Sequence, residues 1–239
     1  MPLPVSRSLG QGRLAPAFDR FIGLERLALL REVALVPLDL TDVVPAILPG
    51  DDVVVLVHGF LATAGVFRPL RARLERETGA RVATFTHAPG VGVRSIARRL
   101  ADLVDRVPKN SRVTVVGHSL GGIVARYYVQ ELGGHARVAR TVSLATPFGG
   151  VDVPQLLQRA LGADVHAQSE LLRRMRERAH EHGVPHTSIV AAEDSVVAGV
   201  ETACLGYGDV VIAPGHGHNS LLFCDRVAGV VIDRVKTAL

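Results

Sequence analysis

Residues 113–124 read Val-Thr-Val-Val-Gly-His-Ser-Leu-Gly-Gly-Ile-Val, and this stretch decides how the chain folds and where its chemistry lies. The first four residues are apolar or β-branched and predict a short strand, and an apolar-periodic helix follows at once. Gly117 to Gly121 fits the pattern G-x-S-x-G, a sharp strand-to-helix turn whose glycines keep Cβ atoms out of a crowded space. The pattern predicts a Ser119 hydroxyl at the carboxyl edge of a sheet and at a helix N-terminus, where developing negative charge is stabilised.

Strand and helix signals alternate on both sides of this turn, which is typical of a mostly parallel sheet with helices on both faces. The expected strands are residues 53–57, 81–85, 112–116, 138–145, 186–192 and 209–213, and the expected helices are 66–78, 93–107, 119–132 and 221–236. A chain of 239 residues can bury a large core, and α/β domains of this length are usually single units. We therefore expect one α/β domain over residues 1–239.

Two segments fall outside this alternation. Residues 1–50 are rich in proline near their ends and carry an amphipathic stretch near 17–33, which predicts an N-terminal extension with a helix and an outer strand packed on the core. Residues 147–185 lie between two expected strands and include a charged helix over 169–182. An insertion at this point would lie over the carboxyl edge of the sheet, beside Ser119, so we expect it to be a cap or lid.

The composition argues against several classes of protein. The net charge of +4 comes from arginines that are interspersed with acidic residues on expected helix faces, so nucleic-acid binding is not expected. No run of 18 uncharged apolar residues is present, so stable membrane insertion is not expected either. The N-terminus shows no clean signal peptide, which leaves a cytoplasmic protein and a mature secreted form open, and the oligomeric state is open as well.

Cysteine usage is slight and leaves two alternatives. Cys204 and Cys224 could form a disulfide that closes a loop around the second half of the active site, or they could be two buried thiols.

A nucleophilic serine needs a neutral imidazole within hydrogen-bond reach and a carboxylate on the other ring nitrogen. In a sheet of this kind the chain order is serine, acid, histidine. Only His216 and His218 lie late in the chain, in a loop between the last expected strand and the closing helix. His218 is preferred because it lies nearer that helix, and His216 is expected to be a solvated loop residue.

The candidates for the acid follow the expected strand 186–192. A carboxylate on the loop at its carboxyl end would be level with the serine, and Asp194 is preferred there to Glu193. Asp209 is a third candidate, but it begins a strand instead of ending one.

The reaction also needs donors for an oxyanion. One is the backbone N–H of Leu120, and the other is the N–H of Phe60, which follows the first strand and a permissive Gly59. His58 is expected to fix this loop by a hydrogen bond, and His118 is expected to pack behind the serine turn.

Taken together, these segments resemble the α/β-hydrolase lipases and esterases of bacteria. The likeness covers about residues 52–236 and rests on V-V-V-L-V-H-G-F at 53–60, G-H-S-L-G-G at 117–122, A-T-P-F-G-G at 145–150, S-I-V-A-A-E-D at 188–194 and G-H-N-S-L-L at 217–222. The last two are similar to the acid and histidine segments of small triacylglycerol lipases. The resemblance implies the α/β-hydrolase fold, Ser119, Asp194 and His218 as the triad, and Phe60 and Leu120 as oxyanion donors.

The chain departs from the smallest members of this family in three ways: its longer N-terminus, its 147–185 segment, and Ala145 in place of the usual glycine of the Gly-Thr-Pro turn. Some larger bacterial lipases bind a structural calcium, but no acidic cluster lies near the histidine loop. His180, His182 and His186 lie on or beside a charged helix, and we expect neither a metal nor a cofactor.

The expected reaction is acyl transfer through a covalent acyl-enzyme. Several apolar residues near the expected mouth of the site favour an apolar acyl group, and the expected substrate pocket is Leu61, Phe148, Val196, Val197 and Leu221. The expected partner is a small-molecule or lipid ester, and action at a lipid–water interface is left open. A polyester hydrolase or a thioesterase or acyltransferase on the same triad is an alternative, and a non-catalytic binding protein with this fold is an alternative from another class.

Overall fold

The computed structural model describes residues 17–152 and 163–237, and for residues 17–21 and 163 it describes the backbone alone. A parallel sheet forms the centre, in the order β2-β1-β3-β4-β5-β6. The strands are β1 (Asp52–Val57), β2 (Arg81–Phe85), β3 (Arg112–His118), β4 (Val138–Leu144), β5 (His186–Ala191) and β6 (Asp209–Ala213). The predicted α/β architecture is confirmed, and the serine turn after β3 lies near the middle of the sheet.

Seven described helices surround the sheet: α1 (Ala17–Leu35), α2 (Arg68–Thr78), α3 (Val93–Asp105), α4 (Leu120–Glu131), α5 (Glu170–Glu177), α6 (Val200–Ala203) and α7 (Asp225–Lys236). Helices α3 and α4 pack together on one face, and α2 and α7 pack together on the other. Within β1, Val53, Val55 and Val57 belong to the first core while Val54 and Leu56 belong to the second. This burial on both faces explains why β1 is a continuous apolar run.

Two expected helices are interrupted where the chain has a local reason. The stretch 66–78 is a 3-10 turn over Ala64–Phe67 followed by α2, because Pro69 lies in the first turn of α2 and would clash with the preceding turn of a continuous α-helix. The closing stretch 221–236 is likewise a 3-10 turn over Ser220–Phe223 followed by α7. Extended backbone at Cys224, with φ −88° and ψ 119°, separates the two.

The N-terminal extension contains the expected helix, α1, but the expected outer strand is reduced to one residue pair. Val43 and Thr84 exchange two backbone hydrogen bonds of 2.9 Å in an antiparallel bridge on the edge of β2. Pro45 has no N–H with which to continue a ladder, so the pairing stops there. None of the described helices combines the length and the apolar character that crossing a bilayer requires.

Of the expected cap segment, residues 147–152 and 163–185 are described, and residues 153–162 fall outside the described residues. Helix α5 packs beside the C-terminal end of α4, where Gln130 donates to the Met175 carbonyl and Arg174 pairs with Glu131 at 3.1 Å. This is the end of α4 remote from Ser119. The segment's motion as a lid stays a prediction.

The two cysteines are free and buried. Cys204 belongs to the core on the α3 and α4 face, and Cys224 belongs to the core on the α2 and α7 face. Because the sheet lies between them, these two residues are buried thiols and the disulfide alternative is wrong.

Candidate active site

Ser119 occupies a strained turn between β3 and α4. Its φ is 52° and its ψ is −120°, a backbone conformation that side-chain-bearing residues rarely adopt. Its N–H donates to the Leu144 carbonyl at 2.9 Å, which ties the turn to the end of β4. The sharp strand-to-helix turn that the sequence predicts is therefore present, with the serine at its apex.

The glycines of the turn are required by backbone contacts. A Cβ on Gly121 would lie 2.0 Å from the Val57 carbonyl oxygen, and one on Gly117 would lie 2.3 Å from the Gly121 carbonyl carbon. Gly122 is equally tight, since its Cβ would lie 2.0 Å from Thr146 Oγ1. These approaches bring the ends of β1, β3 and β4 close together around the serine.

Two further residues with positive φ stand beside the serine turn. Leu61 (φ 59°) follows β1 and Ala145 (φ 47°) follows β4. The left-handed backbone at Ala145 favours the glycine that the resemblance implies at this point, and alanine there costs about 1–2 kcal/mol. Strained backbone therefore clusters at the three loops that meet at Ser119, as it does in many functional sites.

Asp194 and His218 form a direct pair on neighbouring loops. The carboxylate Oδ2 accepts from His218 Nδ1 at 2.9 Å, and Oδ1 accepts from the backbone N–H groups of Val196 and Val197 at 2.8 Å each. The Asp194 side chain is 2% exposed and that of His218 is 9% exposed. Since Asp194 holds the Nδ1 proton, Nε2 is the nitrogen left with a lone pair, and His218 lines the same cavity as Ser119.

The alternative residues for base and acid have other partners. Glu193 Oε2 accepts from the backbone N–H groups of Gly215 and His216, at 2.8 and 3.1 Å. His216 Nδ1 donates to the Pro214 carbonyl at 2.9 Å, and Asp209 pairs with Arg234 at 2.9 Å. Glu193 therefore shapes the histidine loop (residues 214–219), while Asp194 holds the ring.

A second carboxylate on the histidine loop comes from helix α1 and was missed by the sequence reasoning. Glu25 Oε1 accepts from Asn219 N–H at 2.8 Å, and Glu25 Oε2 accepts from Ser220 N–H at 3.1 Å. Two carboxylates thus fix the backbone on either side of His218. The amphipathic stretch near 17–33 carries several charged residues, and nothing in the sequence distinguishes Glu25 among them as the one that faces the core.

The loop after β1 carries the expected oxyanion donor Phe60. His58 Nδ1 donates to the Gly59 carbonyl at 2.7 Å, and His58 Nε2 accepts from His87 N–H at 3.0 Å. The Gly59 carbonyl and the Phe60 N–H belong to one planar trans peptide and point in opposite directions. By holding that carbonyl, His58 orients the Phe60 N–H, which agrees with the structural role expected for His58.

The other expected donor, Leu120, is the first residue of α4, where an N–H has no partner within the helix. Phe60 and Leu120 line the cavity together with Ser119. Gly59 permits this approach, because a Cβ there would lie 3.0 Å from Ser119 Cβ.

Two buried histidines, His118 and His58, form hydrogen bonds to the loops that carry the site. His118 is 2% exposed, and its Nε2 donates to the His218 carbonyl at 3.0 Å. Burial, together with the neighbouring His218, lowers the pKa of His118 to about 3, and burial together with His87 lowers the pKa of His58 to about 3. Both rings are therefore uncharged near neutral pH, as the expected packing role of His118 requires.

A cavity of about 190 Å³ opens onto Ser119. It is lined by Glu32, Gly59, Phe60, His118, Ser119, Leu120, Pro147, Val151, Val165, Val196, His218 and Asn219. Pro147, Val151 and Val165 come from the expected cap segment, and the Val151 N–H donates to the Val165 carbonyl at 2.9 Å.

The expected substrate pocket differs from this lining. Val196 lines the cavity, but Phe148, Val197 and Leu221 are buried in the two cores and Leu61 is 63% exposed at the surface. The ring of Phe148, a residue of the turn after β4, packs edge-on against the ring of His186 in the core on the α3 and α4 face. Apolar residues near a sheet edge can face either the core or the cavity, and the sequence pattern does not distinguish the two.

Within residues 17–152 and 163–237, no three metal-ligating side chains come together. His186 bonds to Thr141 at 2.8 Å within the sheet, and His182 stacks on His135 with ring centroids 4.0 Å apart.

Solved structures of bacterial enzymes share the fold of this chain at low sequence identity. The lipase BlEst2 of Bacillus licheniformis in its mature form superposes with a TM-score of 0.62 and 14% identity, over 81% of this chain and 95% of that one. A lipase-esterase related protein from Clostridium acetobutylicum gives 0.60 and 16%, over 84% and 100%. A thermophilic esterase from Thermogutta terrifontis gives 0.58 and 18%, over 82% and 92%.

These likenesses show the fold, and no curated protein matches the chain at a significant level of sequence similarity. A family model described as the alpha/beta hydrolase fold matches residues 52–187, which run from β1 into β5 and include the serine turn. The chain therefore belongs to the α/β-hydrolase fold family.

Proposed function

We propose that this protein is a serine hydrolase of carboxylic esters, with Ser119 as nucleophile, His218 as base and Asp194 as the residue that orients the imidazole. The observation that carries the proposal is the 2.9 Å hydrogen bond between Asp194 and His218 at a cavity shared with Ser119. This bond selects the tautomer whose Nε2 lone pair can take the serine proton. Membership of the hydrolase fold family supports a hydrolase in general.

The reaction proceeds in two half-reactions. Ser119 Oγ attacks the ester carbonyl carbon while His218 Nε2 takes the hydroxyl proton, and the carbonyl π electrons move onto the oxygen, which the Phe60 and Leu120 N–H groups stabilise. The intermediate then expels the alcohol, which receives the proton from His218, and the acyl group stays on Ser119. A water molecule repeats the steps, giving its proton to His218, and releases the carboxylic acid and free serine.

The cavity supports a short apolar acyl group as substrate. Its walls are mainly apolar, and its volume of about 190 Å³ is below the roughly 300–1,000 Å³ of sites for drug-sized ligands. Relatives in fold are named as lipases and esterases, which is consistent with an ester substrate. A rate profile over p-nitrophenyl esters from acetate to palmitate should peak at short chains. A peak at twelve carbons or more would contradict this part of the proposal.

The proposal places the reaction at a lipid–water interface. Large apolar side chains are exposed on the outer side of α1 and beside the cavity, including Leu27, Leu30, Leu61 and Val196. A tributyrin rate that rises steeply above the solubility limit would support action at an interface, and a rate that saturates below that limit would argue for a soluble ester.

The decisive experiment is Ser119→Ala with p-nitrophenyl butyrate. We expect kcat/KM to fall by about 10³-fold or more, because nucleophile and base act as a unit. The exposed Ser95→Ala on α3 makes the same chemical change outside the cavity and serves as control. A fluorophosphonate probe should label the wild type and Ser95→Ala but not Ser119→Ala. A folded wild type that resists labelling would instead favour the non-catalytic binding protein.

A further inference from the structure

Helix α1 turns acidic residues towards the protein and leucines towards solvent. Glu25, Ala28 and Glu32 are spaced to share one face, and Ala28 is 3% exposed. On the outer side Leu27 and Leu30 are 46% and 68% exposed. This reverses the pattern of an ordinary surface helix, whose apolar stripe faces the core. Departures of this kind are expected where a residue serves function instead of folding.

The two inward carboxylates differ in how they are satisfied. Glu25 accepts from the Asn219 and Ser220 N–H groups, which accounts for its position. Glu32 lines the cavity of Ser119 and His218, and no described residue donates a hydrogen bond to its carboxylate. A carboxylate that is largely removed from water is unfavourable, and a leucine at this position would not carry that cost.

Burial and two neighbouring titratable groups shift the pKa of Glu32. Burial raises its pKa, the nearby His218 lowers it, and the negative charge of Glu25 raises it again. The other titratable groups lining the cavity are His218 and the neutral His118. Glu32 is therefore the one carboxylate among the described residues that line the cavity.

We infer that Glu32 determines the charge specificity of the ester site: it disfavours esters that carry an anionic group on the acyl chain and favours those that carry a cation. This inference rests on the proposed function. The physical reason is that Coulomb interactions are several times stronger in a poorly solvated cavity than in water, so one carboxylate beside the acyl chain discriminates strongly.

The test compares three p-nitrophenyl esters whose acyl groups share a four-carbon backbone, at pH 8 and with the spontaneous hydrolysis of each ester subtracted: the neutral butyrate, the anionic hemisuccinate and the cationic 4-(trimethylammonio)butyrate. In Glu32→Gln, the ratio of kcat/KM for hemisuccinate to that for butyrate should rise on the order of tenfold, and the ratio for the cationic ester should fall on the order of tenfold. Glu32→Asp keeps the charge and should keep the wild-type order of the three esters.

The matched control is Glu75→Gln on α2, which removes the same charge from an exposed position outside the cavity and should leave both ratios at wild-type values. Thermal melting establishes that each variant is folded. Unchanged ratios in active Glu32→Gln would overturn the inference alone. An equal loss on all three esters would also overturn it, because that result indicates an effect on His218 instead of on the substrate. A wild type inactive on all three would overturn it together with the proposed function.

Discussion

Acid should destabilise this protein well before its carboxylates are protonated. His58 and His118 have a pKa of about 3 in the folded chain, against 6.5 for an ordinary histidine. The unfolded chain therefore binds more protons than the folded one across this range, and stability is lost as the pH falls from about 6.5 towards 3. Burial is the main cause of both pKa shifts, and at His58 the Nε2 atom also accepts from the His87 N–H, which opposes its protonation.

The magnitude follows from the linkage of pKa and stability. One pKa unit corresponds to about 1.36 kcal/mol, so at pH 5 each of the two rings favours the unfolded state by about 2 kcal/mol. Together they lower the free energy of unfolding by about 4 kcal/mol between pH 7 and pH 5, out of the about 5–15 kcal/mol typical of a folded protein. Burial also lowers the pKa of His87 and of His186, so these rings act in the same direction.

Urea unfolding followed by circular dichroism at pH 7, 6 and 5 measures this directly. His118→Gln should flatten the pH dependence by about 2 kcal/mol over this range, because one of the two rings with a pKa of about 3 is gone. The exposed His180→Gln should leave the pH dependence as it is in the wild type. A wild-type free energy of unfolding that changes by less than about 1 kcal/mol between pH 7 and pH 5 would refute the reasoning. So would an unchanged slope in folded His118→Gln.

Two further predictions concern the serine turn and the histidine loop. Gly121→Ala should lower the free energy of unfolding by about 1–3 kcal/mol or more, since its Cβ meets the Val57 carbonyl. Gly229→Ala on α7, which has open space around it, should raise the free energy of unfolding by about 0.5–1 kcal/mol. Urea unfolding of both variants is the measurement. Glu25→Ala should lower kcat for p-nitrophenyl butyrate on the order of tenfold because it frees two backbone N–H groups beside His218, with Glu25→Gln intermediate because it keeps one acceptor. A kcat for Glu25→Ala equal to that of the wild type would remove Glu25 from the positioning of the loop.

The serine turn illustrates what local sequence can predict. Gly117 and Gly121 are required because a Cβ at either position would lie 2.0–2.3 Å from neighbouring backbone, and this requirement leaves the pattern G-x-S-x-G in the sequence. The Asp194 and His218 loops were predicted from their order along the chain, because parallel strands bring their carboxyl ends to one edge of the sheet. The predicted strand ranges were close to the observed ones, because a continuous apolar run indicates a strand that is buried on both faces.

Other features could not be predicted because they depend on which surfaces meet. Phe148, Val197 and Leu221 are apolar in either setting, so composition could not assign them to the core instead of the cavity. The sequence is compatible with a disulfide between Cys204 and Cys224, and only the fold shows that the sheet separates them.

By itself the sequence predicted the parallel α/β sheet, the strained serine turn and the loops that carry Asp194 and His218. These predictions depend on periodicity, on a turn pattern five residues long and on the meeting of parallel strand ends at one edge of the sheet. Only the tertiary structure decided that helix α1 reaches the histidine loop through Glu25 and brings Glu32 to the cavity wall. Glu25 lies 194 positions from Asn219, whose N–H donates to it. No local pattern encodes such a pairing, because it results from the packing of one surface on another.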